Sequence, residues 1–279
     1  MKKVLFLLSF SFSSVLIFVG CNNSKTGDQN GNTSKDSTAK NADSSKVNVI
    51  ATKGGITLSY FVQSPDFNDA SLKQVEPAIP VKKAGSTLFK FDVSNFKLSD
   101  QTPGATQCNC SNSDKGQHIH QILNGGPYAA RYKDTFYSDL KDGHYINLCF
   151  LSRSFHESVK NKNAFVLSQF NVGTSKDKEA DLKGPLLFYS RPKGEYKGKD
   201  TKNLLLDFYL VNTDLAADGN KVKATINGNE FILTKWAAYA LSGLPFGENT
   251  IKLELIDKEG KPIPGPYNSV ERKIKLSEK

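Results

Sequence analysis

The chain has 279 residues, 37 of them Lys or Arg against 28 Asp or Glu, for a formal charge of +9. The excess is scattered among acids, and no basic run is dense enough for a nucleic-acid footprint, so that class of partner is excluded. The length is enough for one large domain or two small ones beyond a leader.

Lys2 and Lys3 open the chain, Val4 to Val19 is apolar apart from serines, and Gly20 precedes Cys21. This is the three-part pattern of a secretory signal. An apolar run of about fifteen residues falls short of the roughly twenty that a spanning helix needs, so cleavage is expected. Phe18-Val19-Gly20-Cys21 resembles the lipobox of bacterial lipoproteins, with Phe18 in place of the usual Leu and Val19 in place of a small residue. That resemblance implies a signal peptide over 1–20 and lipidation, palmitate included, at Cys21. Two or more acyl chains anchor stably where one is marginal. From Asn22 to Lys46 nothing is more apolar than Ala39 and Ala42. Residues 21–47 are therefore expected to be a solvated linker with a reach of roughly 28 Å. Asn22 and Asn23 lack the Asp that signals inner-membrane retention, which points to the outer membrane, with a body that is periplasmic or surface-facing.

After the linker the hydrophobic pattern has period two, as in Ile56-Thr57-Leu58-Ser59-Tyr60-Phe61-Val62 and Leu88 to Val93. His118 to Leu123, Tyr128 to Tyr132, Tyr145 to Leu151 and Ala164 to Val172 read as further strands. A second set follows: Pro185 to Ser190, Leu204 to Val211, Lys221 to Ile226, Glu230 to Thr234, Thr250 to Asp257 and Val270 to Leu276. Ala237 to Ser242 reads as one helical turn. The two sets look like copies. His118 to Leu123 and Lys221 to Ile226 both end in Asn-Gly, a strong hairpin signal because both residues accept positive φ. Leu140-Lys141-Asp142-Gly143 matches Leu244-Pro245-Phe246-Gly247 as a corner before a long strand, which resembles the corner of immunoglobulin-like and fibronectin type III modules. The expected fold is all-β, with tandem immunoglobulin/fibronectin-like β-sandwiches over 48–174 and 175–279.

With Cys21 assigned to lipid, Cys108, Cys110 and Cys149 remain. Neighbouring Cys108 and Cys110 are poorly placed to bridge each other, so one of them is expected to pair with Cys149, the alternative being an unpaired Cys149 in the core.

All four histidines, His118, His120, His144 and His156, fall in the first copy. His118 and His120 share a strand face and are able to grip a zinc or copper ion, with His144 or His156 as a third ligand. The second copy has Lys221 and Lys223 at the equivalent places. Two lysines there imply a solvated face, so the favoured reading puts the histidine pair on an open strand face, with no cofactor and the other imidazoles more than ~8 Å away. The lone Met, Met1, argues against copper(I). Of catalytic signatures there is no Gly-x-Ser-x-Gly, His-Glu-x-x-His, phosphate-binding glycine loop or Cys-x-x-Cys, and Ser154-Phe155-His156-Glu157 does not space a triad. A non-enzymatic binding or adhesion protein is expected. Tyr128, Arg153 and Arg191, in loops rich in hydroxyls and aromatics, are the candidate ligand groups for a glycan, peptide or envelope partner. Trp236 reads as core before stacking platform.

Gly116-Gln117-His118-Ile119-His120, the Asn124-Gly125-Gly126-Pro127-Tyr128 turn, Leu151 to Asn161 and Asn268-Ser269-Val270-Glu271-Arg272 together resemble a family of Bacteroidetes-type lipoproteins with tandem immunoglobulin-like modules. The resemblance covers both copies. Some members carry the label phosphopeptide-binding protein, which implies a phosphate partner for Arg153, a geometry that arginine matches. The Ser-x-x-His of forkhead-associated domains is not reproduced: Ser152 and Ser154 both miss the required distance from His156.

Overall fold

The computed structural model describes residues 48–61, 64–105 and 109–279. The proposed signal peptide, the linker and lipidated Cys21 lie outside the described residues.

The described chain is all-β, without an α-helix. The first strands are β1 (Val49–Lys53), β2 (Ile56–Tyr60), β3 (Ser71–Glu76), β4 (Gly85–Ser94), β5 (His118–Leu123) and β6 (Ala129–Arg131). There follow β7 (Thr135–Leu140), β8 (Gly143–Ser152), β9 (Phe165–Val172), β10 (Leu186–Arg191) and β11 (Gly194–Lys197). The last are β12 (Leu204–Val211), β13 (Lys221–Ile226), β14 (Asn229–Leu233), β15 (Tyr239–Ser242), β16 (Gly247–Ile256) and β17 (Ser269–Ser277).

Four sheets make two sandwiches. In the first, sheet β3-β4-β7 packs on sheet β6-β5-β8-β9, with Leu72, Phe89, Phe91, Ile119, Leu151 and Phe170 among the residues between them. In the second, β1-β2-β15-β12-β10 packs on β11-β17-β16-β13-β14 around Leu58, Leu206, Phe208, Val222, Leu253 and Ile274. The repeat expected from sequence is visible in the hydrogen bonds. Asn124 closes its turn by donating N–H to Ile146 O (2.8 Å) and accepting Ile146 N–H on Oδ1 (2.7 Å). Asn227 does the same with Thr250, at 2.9 Å in both directions. β5 lies between β6 and β8 as β13 lies between β14 and β16.

Two assignments change. β1 and β2, placed by sequence order in the first module, join the second, where β2 pairs with β15 from Tyr60↔Tyr239 to Thr57↔Ser242. A strand joins whichever edge its apolar face can cover, and Ile56 and Leu58 fill the second core. Ala237 to Ser242 contributes strand β15, not a helical turn; Tyr239 and Leu241 point into that core, a period of two in four residues.

The sandwiches also share a core. Ile122, Ile146, Leu148 and Phe150 from β5 and β8 meet Leu186, Phe188, Tyr209 and Val211 from β10 and β12. Sheet β6-β5-β8-β9 is thus covered on both faces: along β8, Cys149 and Leu151 face the first core, while Leu148 and Phe150 face the second module. A buried ion pair crosses the same contact, with Lys160 Nζ 2.6 Å from Asp207 Oδ1 and Ser158 Oγ donating to Asp207 Oδ1 at 2.9 Å. Arg272 reaches from the second module to donate to Gly125 O (3.2 Å) and Gly126 O (2.9 Å).

Cys149 is a free buried thiol and Cys110 is disulfide-bonded, so the expected bridge to Cys149 is absent. Cys149 sits on the strand face that fills the first core, where it packs as a small apolar side chain. Trp236 lies in the packing, donating Nε1–H to Phe208 O at 3.0 Å with its ring edge on Tyr209.

Candidate metal centre

β5 alternates, so His118, His120 and Ile122 share one face, and that face is the one covered by the second module. Both histidines are fully buried, and the expectation of an open, solvated pair fails. The physical reason is that Lys221 and Lys223 occupy the outer face of their own sandwich, where Lys223 pairs with Glu254 at 3.2 Å, whereas no such outer face exists at β5. The repeat preserves the strand but not what packs on it.

His156 arrives from a turn. The antiparallel register sets Ser152 opposite His118, so the end of β8 adjoins the start of β5. The chain then folds back: Arg153 N–H donates to Glu157 O, and His156 N–H to Arg153 O, both at 2.9 Å. His156 holds φ of 71°, a left-handed backbone that a non-glycine residue adopts at a cost. That turn puts His156 Nδ1 at 3.1 Å from His118 Nε2, and His120 Nε2 lies 2.9 Å from the same atom. The ligand atoms of all three imidazoles fall within 4.8 Å of one another. His144 is not part of the group. It lies eight residues from Ser152, roughly 26 Å along an extended strand, and its buried Nε2 has no hydrogen-bond partner among the described residues.

The surroundings fix the rings. His118 Nδ1 is 2.8 Å from Gly116 O; a carbonyl only accepts, so Nδ1 carries the proton and Nε2 presents a lone pair. His120 Nδ1 lies 3.3 Å from Ser190 Oγ on β10, and its ring stacks on Tyr128 with centroids 3.5 Å apart. Burial, reinforced by Arg191 and Lys193, lowers the His118 pKa to about 4 against its hydrogen bond to Gly116. Burial holds both His120 and His156 well below the usual range, reinforced at His120 by the His118 and His156 rings ahead of Arg191 and Lys193, and at His156 by Arg191, His118 and Lys193. The three imidazoles are neutral at neutral pH, the form that binds metals.

Of the three candidate ligand groups, two come together here. Tyr128 Oη is 3.2 Å from His156 Nδ1 and accepts from Arg191 Nε at 2.8 Å; Arg191 Nη1 also donates to Tyr196 Oη at 2.9 Å. The β10–β12 register slips between Tyr189 and Arg191, a bulge that re-aims side chains beside the site. A cleft of about 470 Å³ opens on His156, lined also by Tyr128, Arg191, Lys193 and Tyr196. Arg153 is elsewhere, donating to Pro65 O (2.6 Å) and Ser158 O (3.0 Å) beside Glu157 at 3.6 Å, where it holds a loop and lines a separate cleft. Arg191 is among the candidate ligand groups read from sequence, but the contribution of Ser190 is not legible there, since it lies about seventy residues from His120 and meets it only through the pairing of the modules.

No family model matches the chain, and no curated protein does. Among solved structures it is similar to the fibronectin(III)-like modules of Clostridium thermocellum CbhA, at 11% identity over 74% of this chain and 94% of that one, TM-score 0.27. It is similar as well to two tandem V-type regions of a v-region-containing chitin binding protein, at 7% identity over 75% and 99%, TM-score 0.23. A third is the SGBP-B protein of the Bacteroides ovatus mixed-linkage glucan utilization locus, at 11% identity over 75% and 71%, TM-score 0.21. At such scores the overlap carries no argument about ligand or activity.

Proposed function

We propose that this is a metal-binding protein, holding a zinc or copper(II) ion on His118 Nε2, His120 Nε2 and His156 Nδ1 between two β-sandwiches. One observation carries the reading. His118 Nε2 has a single lone pair, since its other nitrogen donates to Gly116 O, yet two more ring nitrogens crowd it at 2.9 and 3.1 Å. One lone pair satisfies one donor well, so a purely hydrogen-bonded triad leaves one contact poorly used. An ion shared by three lone pairs uses all of them. Nitrogens bound to a tetrahedral ion at about 2.0–2.1 Å sit about 3.3 Å apart, so the two contacts to His118 Nε2 need to lengthen by only a few tenths of an ångström, and the three ligand atoms already lie within 4.8 Å of one another. The Gly116 and Ser190 contacts are the kind of outer partners that fix ligating imidazoles. Three nitrogen donors without sulfur suit zinc or copper(II).

The lipid anchor proposed at Cys21 would hold this centre at the surface of the outer membrane, on a tether long enough to clear the head groups. The test is calorimetric titration of zinc and of copper(II) into the metal-stripped protein. One site of sub-micromolar affinity is expected, weakened at least 100-fold in a His118→Ala, His120→Ala double variant. Equal affinity in the two proteins would overturn the proposal.

A further inference from the structure

The three histidines supply three donors, and the cleft reaches the group at His156, between Arg191 and Lys193. Arg191 is only 7% exposed, a costly place for a charge unless it is paired. No carboxylate pairs with it among the described residues; its contacts are the two tyrosine hydroxyls, and Nη2 makes no hydrogen bond to a described residue. Lys193 Nζ lies 4.2 Å from the centre of the Tyr128 ring and likewise forms no ion pair among the described residues. Glu195 and Asp200 line the same cleft without pairing with either cation. A divalent ion on neutral imidazoles would add two more positive charges to this pocket.

Tyr128 adds a second argument. Its hydroxyl accepts from Arg191 Nε and lies 3.2 Å from His156 Nδ1, to whose lone pair it is able to donate. Once a metal takes that lone pair, the Tyr128 proton needs another acceptor.

We propose that the cleft takes a small inorganic anion, which completes the metal's coordination and is held by Arg191, Lys193 and the hydroxyl of Tyr128. The proposal rests on the metal reading above. The anion pairs with two cations, Arg191 and Lys193, that form no ion pair among the described residues, accepts from Arg191 Nη2 and from Tyr128, and fills the position that three-histidine sites keep open for an exogenous ligand. Arg191 and Lys193 act as positioning residues, attracting and orienting the anion from the second module while the first module supplies the metal ligands.

Copper(II) serves as the spectroscopic probe and azide as the anion. Copper uptake is measured first, by elemental analysis and electron paramagnetic resonance. Azide is then titrated into the copper-loaded protein and its charge-transfer absorption followed. The wild type is expected to give a saturable azide band. Arg191→Met is expected to keep one copper per chain and bind azide at least tenfold more weakly, and Lys193→Met, at a half-buried position, about threefold more weakly. A copper-loaded wild type without an azide band, or azide affinity unchanged in both variants, would overturn the anion site while leaving the metal reading intact. A tyrosinate-to-copper band that azide does not displace would overturn it too, by placing Tyr128 in the open position. Failure to take up copper at all would overturn the metal reading, and the anion site with it.

Discussion

Cys149 shows how much one residue's environment depends on the strand face it occupies. The sequence leaves open a disulfide partner or a core residue, and its inward alternation on β8 makes it the latter. Burial pushes its thiol up to about 12, whereas an unfolded thiol titrates near ~8.5. At pH 8 the folded protein therefore presents neither access nor thiolate. Iodoacetamide, read by peptide mass spectrometry, is expected to leave Cys149 unmodified in native buffer and to modify it fully in denaturant; rapid labelling of the native protein would contradict this packing. The shared face of His118 and His120 was equally legible, because strand alternation is purely local. Their burial was not, because it depends on a module some seventy residues further along.

At the scale of elements, strands rich in alternating apolar residues and ended by Asn-Gly could be read directly. β13 alternates half-buried and buried positions throughout, and β5, its counterpart, is buried on nearly every residue. Taking the lysines of one as the environment of the other therefore misplaced the histidines. Short β15 and the edge strand β1 carry too few apolar residues to declare a sheet, so pairing decides them. β10 matters most to the site, since its Ser190 orients His120 from the opposite module. Ser190→Ala removes that partner and nothing from the core. Outer partners of metal-bound histidines are typically worth 10–100-fold in affinity, so calorimetry on this variant is expected to show zinc binding about tenfold weaker with unchanged stoichiometry. Unaltered affinity would mean that the His120–Ser190 contact does not orient a ligand.

Across the whole molecule, two sandwiches could be inferred from the repeat, but not their side-by-side contact. The evidence for that contact in the sequence is indirect: strands such as Leu204–Val211 are apolar on both faces and need two covers. Asp207 is the polar exception, fully buried and bonded to Lys160 and Ser158 across the contact. Removing one partner of a buried pair strands the other charge. Asp207→Ala is expected to lower unfolding stability by about 3 kcal/mol in denaturant titrations, and a loss below about 0.5 kcal/mol would show that the ion pair does not hold the modules together. The same contact encloses the histidines, so the proposed metal centre, though its three ligands come from the first module, would depend on the pairing of the two. Anomalous diffraction at the zinc edge, from crystals grown with one equivalent of zinc, tests that claim most directly. The account predicts one peak at about 2.0–2.1 Å from His118 Nε2, His120 Nε2 and His156 Nδ1; a zinc-saturated crystal with no peak there, or with its peak at His144, would contradict it.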